Sequence, residues 1–505
     1  MHASRPAFST LRASLPFLCI LICALQPLLD VLSYWQMQMD SNSAFTLILR
    51  IAMIAGMLLL ALLFVRRRGL TALLFGAVLL YLIGHVLACL QVSSAYDWKE
   101  DLADQARMLM LPATAFCFTV YLQANSKVLP ALKTGCMLAF ALIVSVMLLS
   151  VLSGTDPHTY AAKGIGIRGW FFWTSAQSAI LSLLSPLAVS WALKHFRGRL
   201  FPLALVCLLS FGSLFAFGTR LAYASLAATG LGLAGCILFS EKKHWPQALT
   251  VFFCTAVFLA LYPVAPMTRN QSALRANETI KQAISDRAAA DAAAQCGLDP
   301  ADPDSLSDPR VLAAAYRYNL QGMMDRFGIE RVAAAYDNSL DVLQIWNERI
   351  RKLRFCQLLR EDALAITPLA GLFGLEIGTT RVEETAVYVF ETASWEMQSE
   401  ASDPENDFYG IFYLCGLVGL GMMLLFLGYY VWLSLKTLWL LPKQFFAPAH
   451  AAFMIAFGIA LVYGWNTVSV LRRNNASFFF ALVLACVGHL CQTQLADVKK
   501  KEPRA

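Results

Sequence analysis

The chain has 505 residues, 58% of them hydrophobic and 14% charged, with a mean hydropathy of +0.58 and a formal net charge of +7. Soluble globular proteins carry about 25% charged residues, so this apolar excess is more than a water-bathed core absorbs and points to a bilayer. The positive charge is no nucleic-acid signature, because it is scattered over short loops rather than gathered in one patch.

In chain order, apolar blocks of span length are expected to form membrane helices. A span needs about 20 apolar residues, and a helix satisfies its own backbone in lipid. Blocks fall at about 14–35, 44–65, 69–92, 107–124, 134–153, 173–193, 199–218, 221–240 and 246–265, then at 408–434, 449–466 and 475–493. The first resembles a signal peptide, with Arg5 and Arg12 ahead of it. No small-residue cleavage site follows, and the run continues through Gln26-Pro27 and Asp30, so a first transmembrane helix is expected.

Between the ninth and tenth blocks lies a polar island, Met267 to Asp407. Residues 274–294 read as an Ala-rich polar helix, and 297–309, rich in Asp and Pro, as a loop. Residues 310–335 and 339–364 read as amphipathic helices, the second with Leu340, Leu343, Trp346, Ile350 and Leu353 at helical spacing. Residues 366–380 read as a Gly-rich loop and 385–395 as mixed. The expected domains are a transmembrane bundle at 1–265, the large loop at 266–407, further transmembrane helices at 408–495 and a basic tail at 496–505.

Lys and Arg collect in alternate loops: Arg5 and Arg12; Arg66, Arg67 and Arg68; Lys127 and Lys133; Lys194, Arg197 and Arg199; Lys242 and Lys243; Lys436 and Lys443; and Lys499, Lys500, Lys501 and Arg504. The positive-inside rule then places both termini in the cytoplasm and the island on the outer face. Of 13 Cys, only Cys296 and Cys356 lie in the island, where an oxidising space would permit a disulfide.

No metal motif, phosphate loop, dinucleotide fingerprint or nucleophile elbow is present, and His85 and His489 read as packed helix residues. What remains is charge at the outer membrane edge. Arg168 precedes a span, and Arg220 sits in the tight Gly218-Thr219-Arg220 turn between two spans. Arginine at a membrane edge often snorkels to head groups, but a guanidinium fork there also suits a phosphate or pyrophosphate. The island exits through Glu405-Asn406-Asp407-Phe408 into a span. These residues suit helix capping, and a carboxylate there also suits a general base. Asp30 and Arg50 are positioned to pair.

Three segments together resemble the O-antigen ligase and polymerase superfamily of bacterial membrane proteins. They are Arg168-Gly169-Trp170-Phe171-Phe172 with Ser175 and Gln177, Gly218-Thr219-Arg220, and Glu405-Asn406-Asp407-Phe408 with Gly416 and Gly419. Arg349 or Arg351, ahead of Leu372-Phe373-Gly374, resembles an Arg of that family's large loop. The family's usual Asn is replaced by Gln177 or Ser175. The His that ligase members carry after the large loop is absent, which favours the polymerase-like branch.

The resemblance implies an all-α, polytopic, GT-C-like membrane protein of about twelve helices with one large outer helical loop. It implies a metal-independent glycosyltransferase without cofactor, in the bacterial cytoplasmic membrane. Such an enzyme moves glycan from undecaprenyl pyrophosphate to a glycan or lipid acceptor, among membrane lipids and other polysaccharide-assembly proteins. Arg168, Arg220 and Arg349 would hold the pyrophosphate and Glu405 or Asp407 would serve as base. A lipid or polysaccharide transporter, and a sensor with an outer binding domain, are the rival readings.

Overall fold

The computed structural model describes residues 6–39, 44–93, 96–196, 198–240, 244–306, 308–338, 347–376, 382–389, 394–400 and 404–501, the two stretches within 377–403 by their backbone alone. Arg5, Arg197, Lys242, Lys243, Arg504, Leu340, Leu343 and Trp346 lie outside the described residues, as do the side chains of Lys499, Lys500 and Lys501. The helices are α1 (Pro6–Gln38), α2 (Ala44–Phe64), α3 (Arg68–Val92), α4 (Trp98–Ala124), α5 (Val128–Leu152), α6 (Thr174–His195), α7 (Leu200–Phe217), α8 (Arg220–Phe239), α9 (Trp245–Ala260), α10 (Pro266–Gln295), α11 (Pro303–Leu306), α12 (Pro309–Phe327), α13 (Ile329–Ala335), α14 (Glu348–Ile366), α15 (Leu369–Phe373), α16 (Asp407–Leu440), α17 (Pro442–Phe445), α18 (Pro448–Asn466) and α19 (Asn474–Lys501). Among the described residues, 10 helices are long and apolar enough to cross a membrane.

Each of the expected blocks falls on a helix, but two differ from expectation. The block at 246–265 is cut short. Pro263 and Pro266 each lack a donor and restrict the residue before them, so α9 stops at Ala260 and a 3₁₀ turn, Tyr262–Val264, follows. The block at 107–124 is only the apolar end of α4, whose first turn carries Glu100 and Asp101.

The chain divides into two compact units: residues 1–71, 106–270 and 424–505 form the first, and 72–105 and 271–423 the second. In the first, α6 is the central helix, packed against α5, α7, α8, α18 and α19. Its small residues let neighbours approach closely, and Ser185 and Ser210 hydroxyls share a hydrogen bond of 2.5 Å across α6 and α7. Asp30 and Arg50, both buried, pair at 2.5 Å as expected. Removing either partner would strand a buried charge.

In the second unit the island folds around its own core of Leu320, Met323, Phe327, Val332, Tyr336, Phe355 and Leu358, with Ile350 packed against it. The helix expected at 310–335 breaks at Gly328, where φ is 83°. Only Gly takes that backbone geometry at little cost. Residues 382–389 and 394–400, part of them expected to be mixed, pair as an antiparallel hairpin, β1 (Val382–Val389) and β2 (Ser394–Glu400). Cys296 and Cys356 are not bridged.

Candidate functional site

Three connections of the first unit meet at the end of the bundle where α6 and α8 begin. The loop after α5 is organised by Asp156, whose carboxylate accepts the backbone N–H of His158 at 3.0 Å, Arg168 at 3.2 Å and Gly169 at 2.6 Å, and the Ser150 hydroxyl at 3.1 Å. The loop is stitched to the end of α7. The Ile167 N–H donates to the Ala216 carbonyl at 2.9 Å, and the Tyr160 hydroxyl donates to the Gly218 carbonyl at 3.3 Å. Arg168 is half-buried and its Nη1 donates to the Thr174 hydroxyl at 3.2 Å. Desolvation pushes its pKa below the ordinary arginine value, against the nearby Tyr34 and Asp156.

The second connection is Gly218-Thr219-Arg220. Gly218, at φ 76°, closes α7, and a Cβ there would lie 2.4 Å from Pro266 Cβ. Thr219 Oγ1 caps α8 by accepting from the Ala222 N–H at 3.1 Å. The same hydroxyl shares a 2.6 Å bond with Ser178, which bonds the Tyr463 hydroxyl at 2.7 Å. Arg220 is thereby held as the exposed first residue of α8. A cation at a helix N-terminus opposes the helix dipole at a cost of about 0.3–1 kcal/mol. An anion bound there would be attracted by both.

The third connection, 467–473, was not singled out from the sequence. Arg473 stacks its guanidinium 4.0 Å over the Trp173 ring, next to Thr174. Ser175 donates to the Val468 carbonyl at 3.3 Å, and Arg472 is buried beside them in sequence. Gln177, 1% exposed, has no hydrogen-bond partner for either amide atom among the described residues. Two adjacent arginines just before a span, on the same side by alternation as Arg168 and Arg220, were the available signal. They also break the expected charge alternation.

The remaining predicted residues belong to the second unit. Arg349 and Glu405 are each other's partners, Nε to Oε2 at 2.7 Å, and Lys352 Nζ lies 3.6 Å from the other carboxylate oxygen. Of the two arginines considered, Arg349 is exposed and Arg351 buried. Asn406 is the cap of α16, its Oδ1 accepting the N–H of Phe408 at 2.9 Å and of Tyr409 at 3.0 Å. Asp407 is fully buried. α16 breaks at Gly416, where φ is 65° and ψ −168°, and the Leu372-Phe373-Gly374 turn enters the break.

The fold defines a polytopic, multi-pass membrane protein with an arginine-lined helix end in its first unit. The chain belongs to the O-antigen ligase like membrane proteins, whose family model matches residues 13–299. Membership indicates glycan transfer in surface polysaccharide assembly. The match contains Arg168 and Arg220 and ends before Arg349, Glu405 and Asp407. No curated protein matches the chain.

Proposed function

We propose that this protein is a membrane glycosyltransferase that transfers or polymerises glycan from undecaprenyl pyrophosphate on the outer face of the cytoplasmic membrane. The observation that carries the proposal is the convergence of Arg168, Arg220 and Arg473 from three loops at one end of the first unit, with the buried amide of Gln177 close by in sequence. The acceptor hydroxyl oxygen attacks the anomeric carbon, and the bond from that carbon to the pyrophosphate oxygen breaks. The electron pair leaves on the pyrophosphate, where fixed guanidinium groups stabilise the growing charge. The hydroxyl proton passes to a carboxylate. Of the two carboxylates expected as base, both in the second unit, an acceptor can reach Glu405 whereas Asp407 is sealed. Arg349 would orient Glu405, a change from its expected pyrophosphate role. Incubating purified protein with a lipid-linked repeat unit tests the proposal. A ladder of products indicates polymerisation, a single transfer indicates ligation, and no product with any acceptor refutes the assignment.

A further inference from the structure

The second unit contains a cluster that the proposed reaction does not use. His85 and Cys89 stand one helical turn apart on α3, and Asp101 lies in the first turn of α4. All three are buried. Their candidate ligand atoms lie within 4.8 Å of one another, the one such group among the described residues. His85 Nε2 is 2.9 Å from Asp101 Oδ1 and 3.6 Å from Cys89 Sγ.

The proton inventory of the imidazole is informative. Nδ1 lies 2.7 Å from the Phe373 carbonyl, which only accepts, so Nδ1 carries a proton. In the neutral ring Nε2 then presents a lone pair. The other Asp101 oxygen is occupied by the Tyr96 hydroxyl at 2.5 Å, so Oδ1 remains turned to His85. Two lone pairs at 2.9 Å repel unless a positive centre lies between them. A proton on Nε2 would serve Asp101. It would leave the Cys89 sulfur, 3.6 Å away, directed at a nitrogen with no lone pair. A cation ligated by all three atoms serves nitrogen, oxygen and sulfur together.

We propose that His85 Nε2, Cys89 Sγ and Asp101 Oδ1 form a site for a divalent transition metal of the zinc class. A mixed nitrogen, oxygen and sulfur set suits that class. Tetrahedral zinc at its usual bond lengths separates such ligands by about 3.3–3.6 Å. The His85 to Cys89 spacing already fits, and Asp101 needs to retreat by a few tenths of an ångström. The Nδ1–H bond to a backbone carbonyl is the outer-shell contact that metal-bound histidines typically make. The site would be structural. It would tie α3 and the start of α4 to Phe373, in the turn that enters the break of α16.

The test uses the full chain purified in detergent, stripped with a chelator and re-equilibrated with Zn²⁺ or Co²⁺ alone. The expected result is one zinc per chain retained through gel filtration, and a thiolate-to-cobalt charge-transfer band. Cys89→Ser should abolish the band, and Cys236→Ser should leave it unchanged. Asp101→Asn, which keeps a hydrogen-bonding oxygen toward the ring, should weaken zinc binding by about tenfold or more, since even outer-shell changes cost that much. Wild-type protein that retains no zinc, or a cobalt spectrum unaltered in Cys89→Ser, would overturn the proposal and leave a buried imidazolium–carboxylate pair. Metal retention is measured without turnover, so its failure is separate from failure of the glycan-transfer reading.

Discussion

Gly416→Ala is the most informative single change in the second unit. Its backbone, at φ 65° and ψ −168°, lies in a region that is essentially restricted to Gly. Placing alanine there costs about 1–3 kcal/mol in backbone strain. About 2 kcal/mol shifts a folding equilibrium by roughly 30-fold, at 1.4 kcal/mol per decade. A second cost follows from packing. The new Cβ would lie 2.4 Å from the Leu372 carbonyl oxygen and 2.5 Å from the Gly374 nitrogen. Those are backbone atoms and cannot rotate away, so the turn must leave the break in α16. Gly374, at φ 87°, cannot yield toward α16, since its own Cβ position lies 2.2 Å from the Leu414 carbonyl oxygen. The expected total is a loss above about 3 kcal/mol, a large share of typical stability. Gly421→Ala is the matched control, because a Cβ at Gly421 meets nothing within 4 Å. Thermal unfolding in detergent, followed by gel filtration, reads both. Equal midpoints for Gly416→Ala and Gly421→Ala would refute the interlock.

Other substitutions separate structural roles from chemical ones. Arg50→Ala should destabilise the first unit by about 3–5 kcal/mol, because it strands Asp30 in a buried setting. Adding Asp30→Asn to Arg50→Ala should restore part of the loss, read by denaturation in detergent. Asn406→Ala removes the cap of α16 and should cost about 1 kcal/mol in the same assay. Arg349→Ala breaks a solvent-exposed pair with Glu405 and should change stability by less than about 1 kcal/mol. A large drop in glycan transfer with that small stability change is the expected signature of an orienting role. An equal fall in both would reduce Arg349 to a packing residue.

The spans were legible because a bilayer imposes a length and an apolar composition that local sequence alone reveals. The exceptions have local causes too. Pro263 ends α9 early, and Glu100 and Asp101 extend α4 beyond its apolar half. The hairpin was also partly readable, since Val387, Tyr388 and Val389 have side chains that favour strands. Nonlocal pairings were not legible. The backbone bond from Ile167 to Ala216 ties the Arg168 loop to the last turn of α7, beyond the whole of α6, and no spacing rule anticipates it. Arg349 and Glu405 are 56 residues apart, and their partnership emerges only when α14 meets the start of α16. Arg472 and Arg473 are visible in the sequence, but nothing local marks the stacking of Arg473 on the distant Trp173. The His85, Cys89 and Asp101 group escaped because its helical pair mixes two residue types and its third member lies across a loop.

The central claim is that guanidinium groups of the first unit carry the leaving pyrophosphate. Glycan transfer from an undecaprenyl-pyrophosphate donor by purified Arg220→Ala tests it most directly. Arg220 is exposed, Thr219 makes the capping bond, and the cation opposes the helix dipole, so the variant should unfold at or slightly above the wild-type midpoint. Losing a charge-assisted contact to the developing anion should lower turnover by about 10²–10³-fold. Wild-type turnover by a folded Arg220→Ala protein would contradict the account.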